Sequence, residues 1–69
     1  MPIIQITLVE GRSNEAVERC IREVAHTVSS TLNAPLATVR VMVTELPPSR
    51  FAIGDVLKSD AAALNPPIA

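Results

Sequence analysis

The sequence predicts an α/β (α+β) fold: a β-α-β subunit with a parallel strand pair, closed by a short C-terminal hairpin. Three observations predict it. The stretch IIQITLV alternates with period two, the mark of a half-buried strand. NEAVERCIREVAHTVSSTL then carries apolar residues at helical spacing, and TVRVMVTEL returns to period two. Strand, long helix and strand in that order make a unit whose strands run parallel through a right-handed crossover.

Each element has its own justification. Pro2 stands just ahead of the first strand, where its missing N–H costs no ladder bond. Within that strand Ile4, Ile6 and Leu8 point one way, while Gln5 and Thr7, between Ile3 and Val9, point the other. Gly11 supplies a turn, Ser13 a helix N-cap, and Glu15 an acidic first turn that suits the helix dipole. Along the helix Val17, Ile21, Val24, Val28 and Leu32 form one stripe, widened by Cys20 and Ala25. The opposite face is charged, and Glu15–Arg19 and Glu18–Arg22 are i,i+4 pairs worth ~0.2–0.5 kcal/mol apiece. Asn33 and Pro35 stop the helix, and residues 34–37 are placed for one further short turn.

In the second strand Val39, Val41 and Val43 face the helix. Arg40, in mid-strand, shares the far side with Met42 and Thr44, leaving an open, mixed surface suited to other subunits. PPSR breaks the strand, and FAIGD forms a short hairpin with Gly54 at its turn. The remainder, KSDAAALNPPIA, has no clear period and reads as an arm that drapes over a neighbour or stays disordered. The chain is therefore one domain over 1–69, with a core at about 1–57 and an arm at 58–69.

Composition narrows the function classes. Ordering 69 residues costs about 1.5 kcal/mol each, which a core this small barely offsets. Cys20 is the only cysteine, so no internal disulfide helps, and His26 is the only histidine, so no metal-ligand cluster does. Yet 48% of the residues are hydrophobic, more than a lone domain this size hides. Oligomerisation is the remaining route. A net charge of −1 gives no basic field for nucleic acid, and Phe51, the only aromatic residue, gives no stacking platform. No charged-then-apolar leader precedes the first strand, and no apolar run approaches about 18 residues. A cytoplasmic protein without a membrane partner is expected.

Familiar catalytic motifs are missing: there is no GxGxxG, P-loop, HExxH or CxxC. His26 reads as a solvated residue on the charged helix face, and Cys20 as packing. Pro2, Arg12 and Arg40 remain. Each has a bland reading: a strand start, a solvated loop residue, a structural ion pair. Pro2 also has a sharper one, because removal of Met1 turns it into a free secondary amine.

Taken together, PIIQI.L.EGRS, then RE.....S.TL.APL..VRV..TE, then F.IG resemble the 4-oxalocrotonate tautomerase family, the small-subunit branch of the tautomerase superfamily. The resemblance runs over residues 1–54. It implies a trimer of dimers, a homohexamer in the simplest case with a heterohexamer left open. It implies an isomerase of the 2-hydroxymuconate type, active on a small dicarboxylate or 2-hydroxydienoate in aromatic hydrocarbon catabolism, with no metal or organic cofactor. By the same resemblance Pro2 is the acid/base, Arg12 and Arg40 come from different subunits to bind the substrate's carboxylates, and Phe51 lines the apolar pocket. Physical chemistry agrees. Desolvation and nearby cations lower an amine's pKa toward neutrality, and a base poised there can take a proton and return it to another carbon. Arg40 could polarise the 2-oxygen, and the planar fork of Arg12 suits a distal carboxylate.

Departures exist as well. Asp55 follows Gly54 where relatives typically carry a second glycine, and the tail lacks the usual short basic end. If Met1 stays, the Pro2 nitrogen is an amide and no base. Two alternatives follow. One is a proline-dependent relative such as a 3-haloacrylate dehalogenase, weakened because Ile53 stands where those enzymes place a glutamate and Asp55 is the only nearby substitute. The other is a non-catalytic subunit of a mixed hexamer.

Overall fold

A computed structural model describes residues 1–61. Strands β1 (Ile3–Val9) and β2 (Arg40–Leu46) pair in parallel, with Ile3 opposite Arg40 and Val9 opposite Leu46. Helix α1 (Asn14–Leu32) connects them and packs on β2. The alternation in the sequence becomes an alternation in exposure. Ile4, Ile6, Leu8, Val41 and Val43 are partly buried, whereas Ile3, Gln5, Thr7, Arg40, Met42 and Thr44 are exposed. One face of the sheet thus lies under α1 and the other is bare.

The ends of α1 are set locally. The Ser13 hydroxyl accepts the Ala16 N–H at 3.2 Å, satisfying one of the helix's free donors. Asn33 ends the helix at φ 53, ψ 44, a left-handed conformation that Asn tolerates better than most residues, and its N–H donates to the Ser29 carbonyl. A single 3-10 turn follows at Leu36–Thr38, closed by Thr38, whose N–H and hydroxyl both donate to the Pro35 carbonyl, at 2.9 and 2.7 Å.

That turn corrects the expected second strand. Thr38 belongs to the turn, so β2 begins at Arg40 rather than at residue 38, and Arg40 sits at the head of the strand instead of its middle. After β2, a second 3-10 turn at Pro48–Arg50 leads through Phe51 into a hairpin of β3 (Ala52–Ile53) and β4 (Val56–Leu57). Gly54 takes φ 64 at the first of two loop positions, the place where such a tight turn demands glycine. Asp55 stays at negative φ, so replacing a second glycine there leaves the hairpin formed. The start of the supposed arm is also more regular than its sequence suggests: Lys58–Ala61 form a short helix, α2. The expected arm beyond it, 62–69, lies outside the described residues.

Two further expectations change. Arg19 bonds Glu23 at 3.3 Å, not Glu15, while Arg22 meets Glu18 at 3.8 Å as expected. Both glutamates lie one turn from Arg19, and exposed pairs of this kind differ too little in energy for sequence to choose. Cys20 and Leu32, assigned to the apolar stripe, are exposed. Cys20 lies at the edge of that stripe, and Leu32 is the last residue of α1. Val17, at 8% exposure, is the only buried hydrophobic residue among those described.

Candidate active site

The expected site residues fall into two groups at opposite ends of β1. Pro2 and Arg40 share one end. The Pro2 carbonyl accepts the Arg40 backbone N–H at 2.9 Å, which extends the parallel ladder by one rung and seats the partly buried proline beside β2. Met1, 77% exposed, is bonded to the Pro2 nitrogen in the encoded chain. The Arg40 side chain folds back on the preceding turn, where Nη1 donates to the Ala37 carbonyl at 2.9 Å and the Val39 carbonyl at 3.4 Å. The ion pairs among the described residues are the two on α1, so among those residues Arg40 has no carboxylate partner.

Arg12 and Phe51 share the other end. Gly11, at φ 141, makes the turn out of β1 that only glycine adopts freely, and this turn delivers Arg12 just ahead of α1. The Arg12 guanidinium donates to the Val9 carbonyl at 3.4 Å and, among the described residues, to no carboxylate. It lines an open groove of ≈ 630 Å³ together with Leu8, Val9, Glu10, Phe51 and Lys58. Phe51 reaches the groove from the far side of the sequence, carried there by the turn at Pro48–Arg50, and its carbonyl accepts the Lys58 N–H at 2.7 Å. The groove therefore has an apolar lining, two cations and one carboxylate, Glu10.

Lys58 is the groove residue that sequence reasoning passed over. It is the only lysine in the chain and directly follows β4, and those two facts together were the available signal. Asp55, the only carboxylate near the hairpin that a dehalogenase could use, is at the hairpin tip and does not line the groove. His26 is exposed on the outer face of α1, as expected. No three of His, Cys, Asp and Glu among the described residues come together in a way that would hold a metal ion.

The two groups cannot meet within one chain. Seven residues of β1 stand between them, and at ~3.3 Å per residue an extended strand of that length holds its ends roughly 20 Å apart. A site containing both Pro2 and Arg12 requires two copies.

Residues 2–61 match the sequence profile of the Tautomerase family, described as "Tautomerase enzyme". The chain belongs to the tautomerase superfamily, in its 4-oxalocrotonate tautomerase branch. Within that branch it is 54% identical over 54 residues to the 2-hydroxymuconate tautomerase of Stutzerimonas stutzeri, covering 78% of this chain and 86% of that one. Among tautomerases of known structure, it is similar to a heterohexamer 4-oxalocrotonate tautomerase from Chloroflexus aurantiacus J-10-fl, with a TM-score of 0.81 and 30% identity over 87% of this chain and 97% of that one. A 4-oxalocrotonate tautomerase isozyme from Methylibium petroleiphilum superposes with a TM-score of 0.84 at 28% identity, over 93% of this chain and 100% of the other. The parallel pair and the C-terminal hairpin are the tautomerase fold.

Proposed function

We propose that this tautomerase isomerises 2-hydroxymuconate or a closely related 2-hydroxydienoate, with Pro2 as the acid/base. Loss of Met1 frees the Pro2 amine. The uncharged amine takes the proton from the substrate's 2-hydroxyl and delivers a proton to carbon at the far end of the conjugated system. One O–H bond breaks, one C–H bond forms, the double bonds shift, and a 2-oxo-enoate results with no cofactor consumed.

Arg40 stabilises the negative charge that develops on the 2-oxygen, and Arg12, from a neighbouring protomer, holds the distal carboxylate with its two-pronged guanidinium. Phe51 excludes water from the conjugated chain. The assembly is a homohexamer built as a trimer of dimers, working in the cytoplasm. Among the described residues no helix is long and apolar enough to cross a membrane, in keeping with that setting.

The observation that carries this reading is the separation of the two residue groups. Arg12 lies with Phe51 and Pro2 with Arg40 at opposite ends of β1, and among the described residues neither guanidinium is engaged by a carboxylate. The identity with a 2-hydroxymuconate tautomerase adds the substrate class. The test is turnover of 2-hydroxymuconate followed by ultraviolet absorbance, on protein whose intact mass shows Met1 removed. Pro2→Ala is expected to lower kcat/KM by at least about 10²-fold, the usual contribution of a positioned acid/base. Undiminished activity in that variant would discard the assigned base. Native mass spectrometry reads the assembly, and a hexamer that forms only with a second polypeptide would discard the homohexamer.

A further inference from the structure

We infer that Lys58 is a substrate-binding residue that makes the site selective for a dicarboxylate over a monocarboxylate. The inference rests on the tautomerase reading above and names a determinant of its specificity. The groove holding Arg12 and Phe51 is also lined by Lys58, at the first position of α2. The Lys58 backbone is fixed there, since its N–H donates to the carbonyl of Phe51 at 2.7 Å. The side chain is partly buried, and its ammonium lies in no ion pair among the described residues. Arg12, in the same groove, is likewise unpaired, and Glu10 is the one carboxylate that faces them. The groove lining thus carries a net single positive charge beside the apolar Leu8, Val9 and Phe51.

That combination has a chemical meaning. A single guanidinium satisfies one carboxylate through two parallel hydrogen bonds. A second, mobile ammonium beside it adds point-charge attraction, which matters where solvent is partly excluded and favours the ligand with more negative charge. Glu10 opposes anion entry, so without Lys58 the attraction of Arg12 is largely offset. With Lys58 a carboxylate held against Arg12 meets excess positive charge, and a ligand lacking that carboxylate gains nothing.

The experiment compares wild type with Lys58→Met, which keeps an unbranched stem of similar length, and with Lys58→Arg, which restores the charge. Calorimetry measures binding of 2-oxoadipate and of 2-oxohexanoate, which share the 2-oxo acid that the proposed Pro2 and Arg40 end recognises and differ in the distal carboxylate. In parallel, kinetics compare 2-hydroxymuconate with 2-hydroxy-2,4-pentadienoate. Lys58→Met is expected to weaken 2-oxoadipate by about tenfold, the effect of ~1.4 kcal/mol, and to raise KM for 2-hydroxymuconate by a similar factor. Binding of 2-oxohexanoate, KM for the monocarboxylate and both kcat values should stay within about twofold, and Lys58→Arg should behave as wild type. Equal weakening of both ligand classes, no weakening of either, or a loss confined to kcat would overturn the inference. A wild type that binds 2-oxoadipate no better than 2-oxohexanoate would overturn it too. Failure of wild type to turn over 2-hydroxymuconate would instead count against the proposed function, and the binding arm would still decide the role of Lys58.

Discussion

Arg12 and Arg40 are chemically identical, exposed, and held only by backbone carbonyls, yet they occupy opposite ends of the sheet and are assigned different tasks. Their substitutions should separate accordingly. Arg40→Gln removes charge facing the developing oxyanion, so kcat should fall by about 10²-fold with KM little changed. Arg12→Gln removes a contact made equally in ground and transition states, so KM should rise while kcat holds. Both guanidiniums are exposed in the single chain and lie in no ion pair among the described residues, so urea midpoints should shift by no more than about 0.5 kcal/mol equivalent. Steady-state kinetics on 2-hydroxymuconate checks the division, and a kcat loss in both variants would show that Arg12 acts on the reacting atoms. That Arg12 follows a turn and that Arg40 belongs to the second strand were legible from strong local signals, Gly11 and the valine alternation. The position of Arg40 was not, because Thr38 spends its N–H and hydroxyl on Pro35 and delays the strand. Lys58 was still less legible. Its place beside Phe51 depends on the hairpin turning back, and a contact made by chain reversal leaves no period in the sequence.

Helix α1 owes its limits to two side chains whose effects are measurable separately from packing. The Ser13 hydroxyl is the N-cap acceptor, so Ser13→Ala should lower stability by ~1 kcal/mol. At the other end Asn33 holds a left-handed conformation. Asn33→Gly should be neutral or slightly stabilising, and Asn33→Val should destabilise, since a β-branched side chain resists positive φ. Thermal unfolding at one fixed chain concentration reads all three, and an Asn33→Val protein as stable as wild type would argue against the left-handed cap. Caps were legible for a simple reason: a capping residue acts within four positions of itself. What the helix does sideways was not. Cys20 at the edge of the stripe and Leu32 at the helix end fit an amphipathic pattern whether or not anything packs on them. The choice of Glu23 over Glu15 by Arg19 involves differences of a few tenths of a kcal/mol. Helix α2 escaped notice because four residues are barely one turn, too few for helical spacing to register.

The isolated subunit has almost no interior. Val17 is its only buried hydrophobic residue among those described, while Ile3 and Met42 stand 59% and 45% exposed on the bare face of the sheet. That sheet has two strands, so each presents an unpaired edge, and two strands alone are marginal in water. Folding and association should therefore be one event. If only the assembled form is stable, mass action ties stability to chain concentration, and the thermal midpoint should rise as the protein is concentrated. Diluting toward the dissociation constant should remove helical circular dichroism, the sedimenting oligomer and catalytic activity together. Placing a charge on the bare face, as in Met42→Lys, should move all three losses to higher concentration by a common factor. The coupling is sharpest for activity, because the proposed site, which takes Arg12 from one copy and Pro2 from another, cannot survive as a monomer even if the monomer stays folded. A dilute species with full helical signal and no activity would mean the subunit folds alone and only the site needs a partner. A dilute monomer that still turns over substrate would mean that Pro2 works without a neighbour's Arg12, against the roughly 20 Å that β1 puts between them.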